Sequence, residues 1–498
     1  MNPQTGANRK FITNLLILLC LNLLIKPFWI LGIDRTIQNT VGTESYGFYF
    51  AIFNLTFLFN ILLDFGITNF NNKNIAQNNH LLNKHFSSIL ILKFLLAVIY
   101  FVITISAGLI IGYSTQQMMM LGVLCFNQFL ISFILYLRSN ISGLHFFKTD
   151  SVISVLDRVL MIIICGVLLW GNVTKQAFRM EWFIFAQTAS YILTALFALF
   201  IVIKKAKFNR LKWNRPFFFM IIKQSFPFAI LVLLMAFYNR IDSVMIERLL
   251  PDKTGNQQAG LYASAYRLLD AVNMIAYLFS VILLPMFARM IKFKTDVEKL
   301  ARLSFTLLFI LTVTVSLGSF FYRTEIMTML YPQRLQEAFQ LYTSRIQETS
   351  TIFGILMGGF IPIATTYIFG TLLTANGNLK QLNIVAASGM VLNLSLNFIL
   401  IPHYMAIGSA YASLTTQLIT ALIQVFLVIK IFKFKLNIPY LIRLAIFVVS
   451  VIIFNILSRK LGFDWKINFL LMGIFTVLTA ALTKLLNIRA FIAILRKE

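Results

Sequence analysis

The chain has 498 residues, of which 59% are hydrophobic and only 12% are charged, and its formal net charge is +26. A water-soluble protein of this length cannot cover so much apolar surface, so composition excludes a soluble globular fold. Nucleic-acid binding is also disfavoured, because the Lys and Arg residues stand mostly in short segments between apolar runs and form no separate basic domain. Apolar windows long enough to span a bilayer recur along the whole chain, which predicts an all-α polytopic membrane protein.

The pattern of apolar runs predicts about 14 transmembrane helices. The longest interruption, 323–350, is predicted to be an external loop. The first run is expected to be a membrane span and not a cleaved signal, because Lys26 and Pro27 interrupt it without a small-residue cleavage site. The predicted spans lie near 11–33, 46–69, 86–112, 117–138, 152–170, 181–203, 223–247, 259–287, 302–322, 350–375, 382–401, 406–429, 439–458 and 467–485.

The distribution of positive charge predicts the orientation of these spans. If the N-terminus is cytoplasmic, the basic segments 204–215 and 289–302 both lie on the cytoplasmic side. Most of the loop Lys and Arg residues then fall inside, as the positive-inside rule requires. An even number of spans places the basic C-terminal tail inside as well.

An internal repeat is visible at an offset of 213 residues. The matched positions cluster where an odd-numbered span ends and the next one begins: Asp34-Arg35 with Glu247-Arg248, Gly42 with Gly255, Gly47 with Gly260, and Tyr49 with Tyr262. Spans 1 and 7 have the same orientation, so the repeat is parallel, as in some secondary transporters. It predicts two six-helix lobes, 1–215 and 216–437, with an appended helix pair and tail at 438–498.

Charged and polar residues inside the seventh and eighth spans predict a polar cavity. An ionised side chain near the middle of a membrane helix costs about 2.5–3.5 kcal/mol unless it is paired, buried in protein or hydrated. In the eighth span Tyr266, Asp270, Asn273 and Tyr277 recur on one helical stripe, with Arg267 close to it. This stripe is predicted to form the wall of the cavity.

Several motifs resemble those of polysaccharide biosynthesis membrane proteins, the oligosaccharide-lipid flippases. They are Tyr46–Tyr49 with Asp64–Gly66, Arg240–Ile246, Gly260–Tyr266, Leu372–Lys380, Asn393–Pro402 and Gly408–Ser413. The superfamily also contains the lipid II flippase and the multidrug and toxin extrusion antiporters. The resemblance implies a V-shaped pair of lobes with a central cavity that opens alternately to each side. One departure is His403-Tyr404-Met405, where the family commonly has a second Gly or Ala, so a differently shaped turn is expected.

The function implied by the resemblance is transport. The cargo would be an undecaprenyl-pyrophosphate-linked oligosaccharide, moved from the cytoplasmic to the periplasmic leaflet for assembly of O-antigen (lipopolysaccharide), capsule or exopolysaccharide. The protein would be a multi-pass monomer of the bacterial cytoplasmic (inner) membrane with both termini in the cytoplasm. Its partners would be membrane lipids, the lipid-linked cargo and the polysaccharide polymerase and chain-length machinery. Neither nucleic acid nor a bound cofactor is expected, and H⁺ and Na⁺ are the candidate coupling ions.

Cations within the spans are the candidates for binding pyrophosphate, because Arg can hold phosphate oxygens with two parallel hydrogen bonds. They are Arg240, Arg267 and Lys26, with Arg158 near the cytoplasmic side where cargo would enter. Tyr266 and Asn273 are candidate partners for sugar. The structural alternatives are helix-packing ion pairs, above all Arg267 with Asp270, and a Lys26 side chain that reaches the interface.

Carboxylates within the spans have two open interpretations. Asp242, Asp270 and Asp64 are candidates for H⁺ or Na⁺ coupling, and the alternative is that they are counter-ions of the arginines. By contrast, Asp34-Arg35 and Glu247-Arg248 stand at span ends, where solvated charge is expected.

Three other functions compete with this interpretation. A cation-coupled small-molecule extruder shares the superfamily, but the helix pair 13–14 and the intramembrane cations favour an anionic lipid head. A lipid II flippase stays open as an alternative, and the motifs match the glycan branch better. A membrane glycosyltransferase, polymerase or ligase would need a large external loop with catalytic acids or His. The chain has only four His and three Cys residues, without catalytic or metal-ligand spacing, so the sequence predicts neither an enzyme nor a metal site.

Overall fold

The secondary structure is helical, with no β-strand in the part of the chain that is described. The computed structural model describes residues 21, 24–25, 27–78, 80–144, 146–171, 173, 176–205, 213, 215–334, 337–435 and 437–486. The predicted all-α polytopic architecture is thereby confirmed.

Backbone contacts divide the chain into two compact units, Met1–Gly260 and Leu261–Glu498. The first unit contains a π-helical turn (Trp29–Asp34), a 3₁₀ turn (Asn60–Leu63) and the helices α1 (Arg35–Val41), α2 (Thr43–Leu58), α3 (Ile67–Gln77), α4 (Leu81–Ile111), α5 (Thr115–Gly143), α6 (Phe147–Trp170), α7 (Met180–Lys205) and α8 (Arg215–Leu249). Helix α9 (Asp252–Lys292) begins in the first unit and continues into the second. The second unit adds α10 (Glu298–Phe321), α11 (Arg323–Leu330), α12 (Phe339–Gly358), α13 (Phe360–Ala375), α14 (Leu379–Phe432), α15 (Ile438–Ser458) and α16 (Trp465–Leu482).

Eleven helices in the described part of the chain are long and apolar enough to cross a membrane. Helix α14 counts as one of them, although it contains both predicted spans 382–401 and 406–429. Non-helical backbone at Met405 separates the two spans. The predicted span 46–69 is divided among α2, the 3₁₀ turn and α3. Most of the predicted span 11–33 lies outside the described residues. These three positions explain the difference from the 14 predicted spans.

The second predicted span is interrupted by left-handed backbone. Phe65 has φ 44° and Gly66 has φ 77°, and a right-handed helix cannot continue through two such residues. Glycine adopts this conformation without penalty, whereas Phe65 needs support from its surroundings. The break places Asp64 at the start of α3, where its carboxylate accepts hydrogen bonds from the backbone N–H and the hydroxyl of Thr68.

The break in α14 is stabilised by buried polar side chains. Asn397 donates a hydrogen bond of 3.0 Å to Asn393 Oδ1 and accepts one of 2.7 Å from the Ser409 hydroxyl, so the two halves are joined across Met405. A Cβ atom on Gly408 would overlap the carbonyl oxygen of Leu400, which explains the need for glycine there. Buried Asn side chains commonly join helices in membrane proteins through such hydrogen bonds.

The prediction of a loop at 323–350 is wrong in its length. Helix α11 occupies Arg323–Leu330 and α12 already begins at Phe339. The polar side chains that suggested a loop lie on amphipathic turns next to apolar residues. Arg345, for example, is buried against Glu337 within this segment.

Helices α2 and α9 cross at two glycines that are related by the internal repeat. A Cβ atom on Gly47 would overlap the carbonyl oxygen of Asn256, and one on Gly260 would overlap that of Thr43. Thr43 and Asn256 are themselves 213 residues apart, so the contact is reciprocal, as at a two-fold axis. All four residues belong to the first compact unit. The lobe boundaries 1–215, 216–437 and 438–498 stay predictions.

Candidate functional site

Arg240 lies within α8, where its guanidinium group contacts an aromatic ring. Its Cζ atom is 5.0 Å from the centroid of the Phe57 ring on α2. The neighbouring Asp242 is buried, with 1% of its surface exposed. Close by, the Asn54 amide donates a hydrogen bond of 2.8 Å to the Ser243 hydroxyl. The facing sides of α2 and α8 therefore carry a cation and neutral polar groups, and a buried carboxylate lies two residues from the cation.

Arg158 lies halfway along α6, which begins at Phe147, five residues before the predicted span 152–170. Its guanidinium Cζ is 5.7 Å from the Trp29 ring centroid, and its Nη1 is 3.4 Å from the Tyr191 hydroxyl. The carboxylate of Asp157 is 3.7 Å from its Nε. Arg158 is thus a second intramembrane arginine in contact with an aromatic face.

Asp64 forms an ion pair with Lys93 of α4, a residue that the sequence interpretation did not single out. Only 2% of the Lys93 side chain is exposed, and its ammonium group donates to the Asp64 carboxylate, to Leu63 O and to Ser132 Oγ, both of the latter at 3.0 Å. Three acceptors match the three donors of an ammonium group. A single Lys inside the apolar run 89–97 was the available signal.

The polar stripe of the eighth span lies on α9, in the second unit. Tyr266 is buried, and its ring stacks on that of Tyr262 with 5.6 Å between the ring centroids. Arg267, Asp270 and Asn273 are partly buried. The Asn273 side-chain oxygen is buried without a hydrogen-bond partner in the described part of the chain. An amide oxygen in this state can accept a hydrogen bond from a hydroxyl group.

The structure thus places the candidate residues in two groups. Arg240, Asp242, Arg158 and Asp64 belong to the first unit, and the stripe of α9 belongs to the second. Lys26 lies outside the described residues. That these residues address one cavity, and that they bind cargo or ions, stay predictions.

The interpretation of Asp34 and Glu247 as solvated charges is wrong. Asp34 is 1% exposed and accepts hydrogen bonds from the Tyr46 hydroxyl at 2.9 Å and from the Gln38 amide at 3.2 Å. Glu247 is 6% exposed and accepts one of 2.8 Å from the Gln117 amide. Position at the end of an apolar run suggested hydration, but neighbouring helices cover both carboxylates.

Arg248 completes the polar network around Glu247. Its Nε lies 2.8 Å from the Glu247 carboxylate, its Nη2 donates to Gln117 Oε1 at 2.7 Å, and its Cζ is 4.4 Å from the Tyr113 ring centroid. Burial raises the pKa of the Tyr113 phenol, the Glu247 carboxylate raises it further, and Arg248 opposes both effects. Tyr113 is therefore neutral at physiological pH.

A second network of charges lies at the start of α12 and in the segment before it. Arg345 donates two hydrogen bonds to Glu337, of 2.7 and 2.8 Å, and the Arg334 backbone N–H donates a third of 3.2 Å. Burial by itself would raise the pKa of Glu337, but these hydrogen bonds and the two guanidinium charges outweigh it, so the pKa lies below the usual value. Burial and the charge of Arg345 lower the pKa of Arg334.

The residues of the described part of the chain contain no group of three His, Cys, Asp or Glu side chains that could hold a metal ion. The fold and the charges inside its long apolar helices define a polytopic helical membrane protein. The profile of the polysaccharide biosynthesis protein family matches residues 12–291, which is more than half of the chain. The chain belongs to this family, and the resemblance found in its motifs is confirmed. No curated protein matches the chain by sequence.

Solved structures of flippases and transporters have the same fold. Lipid II flippase MurJ in an inward closed conformation aligns with a TM-score of 0.69 at 15% identity, covering 93% of this chain and 97% of that one. An inward-facing multidrug resistance MATE family transporter of the MOP superfamily aligns with a TM-score of 0.59 at 15% identity, covering 83% and 96%. The Vibrio cholerae MATE transporter VcmN in its bent form aligns with a TM-score of 0.54 at 12% identity, covering 86% and 97%. The chain is thus a polysaccharide biosynthesis family member with the fold that these flippase and transporter structures share.

Proposed function

We propose that the protein flips an undecaprenyl-pyrophosphate-linked oligosaccharide from the cytoplasmic to the periplasmic leaflet by alternating access. Membership in the polysaccharide biosynthesis family supports a glycan precursor as cargo. The likeness to a lipid II flippase supports a fold able to move a lipid with a large polar head. The protein would act in the bacterial inner membrane, with both termini cytoplasmic, beside the polymerase and chain-length machinery for O-antigen, capsule or exopolysaccharide. No catalytic reaction is proposed.

The observation that carries the proposal is the partly buried guanidinium of Arg240 on the Phe57 ring. A cation at this depth is costly to insert and therefore marks a functional site by default. An aromatic ring attracts a guanidinium through its face and so holds the group in place. The N–H groups of Arg can then engage the oxygens of a pyrophosphate, which carries about two negative charges. Arg158 repeats this arrangement on Trp29, and Arg267 would add a third cation.

Neutral polar groups next to the arginines suit the glycan. Sugars need amide, hydroxyl and aromatic partners. Asn54 and Ser243, one helical turn from Phe57 and Arg240, are buried and hydrogen-bonded to each other, so they are not counted among these partners. On α9, the buried side-chain oxygen of Asn273 and the aromatic ring of Tyr266 offer partners of this kind. We therefore keep both residues as proposed sugar contacts.

The coupling ion is proposed to be H⁺ or Na⁺, bound at Asp242 or Asp270. Asp64 is the weakest of the three candidates, because Lys93 already neutralises its charge. Replacement of Asp242 by Asn should change the dependence of flipping on pH or on Na⁺. If flipping by the Asp242→Asn variant depends on pH and on Na⁺ as it does in the wild type, Asp242 is a counter-ion only.

The experiment that tests the function is depletion of the protein in its own cells. Surface polysaccharide should be lost while the undecaprenyl-linked oligosaccharide accumulates on the cytoplasmic face, where a periplasmic glycosidase cannot reach it. Loss of the polysaccharide with the lipid-linked unit already outside would contradict a flippase. A block in cell-wall synthesis with normal surface polysaccharide would indicate lipid II as cargo, and drug sensitivity alone would indicate a small-molecule extruder.

A further inference from the structure

Two turns of the second unit meet and line an open, charged cavity at the ends of their helices. One turn joins α9 to α10 and the other joins α14 to α15. The cavity, here called the turn cavity, has a volume of about 490 Å³ and is lined by Glu298, Arg302, Lys435, Asn437, Ile438 and Pro439. A smaller cavity of about 310 Å³ shares Glu298 with it and extends between the same two turns.

The surroundings of the turn cavity are strongly basic. Residues 289–302 and 430–437 contain eight Lys or Arg residues and two acids, Asp296 and Glu298. The net charge of this region is therefore +6, concentrated on two short turns. A field of this sign attracts phosphate groups at the surface of a membrane.

Arg302 is the ordered cation of the cavity. Its Nη2 contacts the Glu298 carboxylate and lies 3.4 Å from the carbonyl oxygen of Lys435, so it bridges the two turns. Its Cζ is 5.3 Å from the Tyr440 ring centroid, and the Tyr440 hydroxyl is hydrogen-bonded to Thr306 at 2.7 Å. Because these contacts fix the guanidinium in advance, a bound anion loses less free energy to ordering of the side chain.

An exposed apolar surface begins at the mouth of the cavity. Ile438, which lines the cavity, is 66% exposed, and the same side of α15 continues with Leu441, Ile442, Ile446, Val449 and Ile453, all exposed. On the other turn Phe293 is 65% exposed. A cationic cavity that continues into an apolar helix surface matches a phosphate joined to acyl chains, and a free phosphate would leave the apolar side without a partner.

We propose that the turn cavity binds the phosphate headgroup of an anionic membrane lipid, whose acyl chains lie along the exposed side of α15. The ligand is a resident lipid of the phosphatidylglycerol type and not the transported cargo. The site lies outside the residues proposed for transport, so it stands independently of the proposed function.

The test is lipid binding to the purified full-length protein by native mass spectrometry in detergent. The probes are phosphatidylglycerol, phosphatidylcholine with the same acyl chains, and soluble glycerol phosphate. Phosphatidylglycerol should bind, and the Arg302→Gln/Lys435→Gln variant should bind it about 25-fold more weakly, at roughly fivefold for each cation removed. A matched control, Lys460→Gln/Lys466→Gln, removes one cation from the turn between α15 and α16 and one from the first turn of α16, and should bind like the wild type.

The single variant Lys435→Gln keeps the contact of Arg302 with Glu298 and guards against an effect of misfolding. It should weaken binding about fivefold. The proposal would be overturned if phosphatidylcholine bound as tightly as phosphatidylglycerol. It would also be overturned if Lys435→Gln and Arg302→Gln/Lys435→Gln both bound phosphatidylglycerol as tightly as the wild type. Competition by glycerol phosphate at the same concentration as the lipid would show a site for soluble anions and would overturn the assignment to a lipid.

Discussion

Two charged regions of the first unit differ in how their cations are held. At the break between α2 and α3, Lys93 has a carboxylate and two further oxygens around its ammonium group. On the facing helices α2 and α8, Arg240 lies against an aromatic ring. The first arrangement closes a helix break and leaves the ammonium no donor for a ligand. The second holds a guanidinium group against the face of the Phe57 ring, and the proposed recognition of an anionic head rests on this arrangement.

The largest expected effect is on stability, from removal of Lys93. Lys93→Ala would leave the Asp64 carboxylate without its cation, beside a buried cavity. The free energy of unfolding should fall by roughly 3 kcal/mol, because removing one partner of a buried ion pair costs more than replacing both partners by neutral residues. Thermal unfolding in detergent should show a clear loss of folded protein. The double variant Lys93→Met/Asp64→Asn should recover much of it. A Lys93→Ala variant as stable as the wild type would show that the ion pair does not support the break.

A similar effect is expected at the crossing of α2 and α9. Gly47→Ala puts a methyl group where the carbonyl oxygen of Asn256 stands, and the backbone must move, at a cost of about 1–3 kcal/mol. Gly122→Ala is the matched control, because a Cβ there meets nothing within 4 Å. The two variants should differ clearly in thermal unfolding. Equal stability would mean that the two helices are not held in close contact.

Arg240 should affect transport far more than stability. Arg240→Ala removes charge-assisted hydrogen bonds to pyrophosphate and should lower the flipping rate roughly 10- to 100-fold. Arg240→Lys keeps the charge but loses the planar group, so partial activity is expected. Both variants should insert and fold normally. Should Lys function as well as Arg, recognition would rest on charge alone and not on paired hydrogen bonds.

The smallest effect is expected at Glu337. Its pKa is lowered in the folded protein, so its contribution to stability is present above the pKa of an unfolded Glu, about 4.3, and is lost as pH falls through the lower folded value. Unfolding measured between neutral and acidic pH should therefore show a loss in the wild type that Glu337→Gln lacks. The same pH dependence in both proteins would assign the loss to other carboxylates.

Hydropathy was sufficient to predict most spans, because each must be long and apolar to cross a bilayer. The pattern could not predict that the span 46–69 breaks at Phe65 and Gly66, since this depends on contacts of Asp64 and Lys93 made in three dimensions. Burial of Asp34 and Glu247 was missed for the same reason. Both lie at the ends of apolar runs, and only the packing of other helices against them excludes water.

The intramembrane arginines were visible in the sequence because charge is rare in apolar runs. Their partners were not, because the rings of Phe57 and Trp29 come from distant segments and one Phe among 50 gives no signal. The repeat at an offset of 213 residues was visible as a few identities. Its physical reason, two glycines that pack on each other's helices, required the structure.

The most direct test is flipping in proteoliposomes that contain a fluorescent undecaprenyl-pyrophosphate oligosaccharide. The wild type should expose the glycan of the inner leaflet to an added glycosidase, whereas Arg240→Ala and Arg267→Ala should do so at least about tenfold more slowly, although both are inserted and folded. A matched lipid with the same glycan but no pyrophosphate should be moved poorly. Equal transport of the two lipids, or wild-type rates in both arginine variants, would contradict recognition of the cargo through its pyrophosphate.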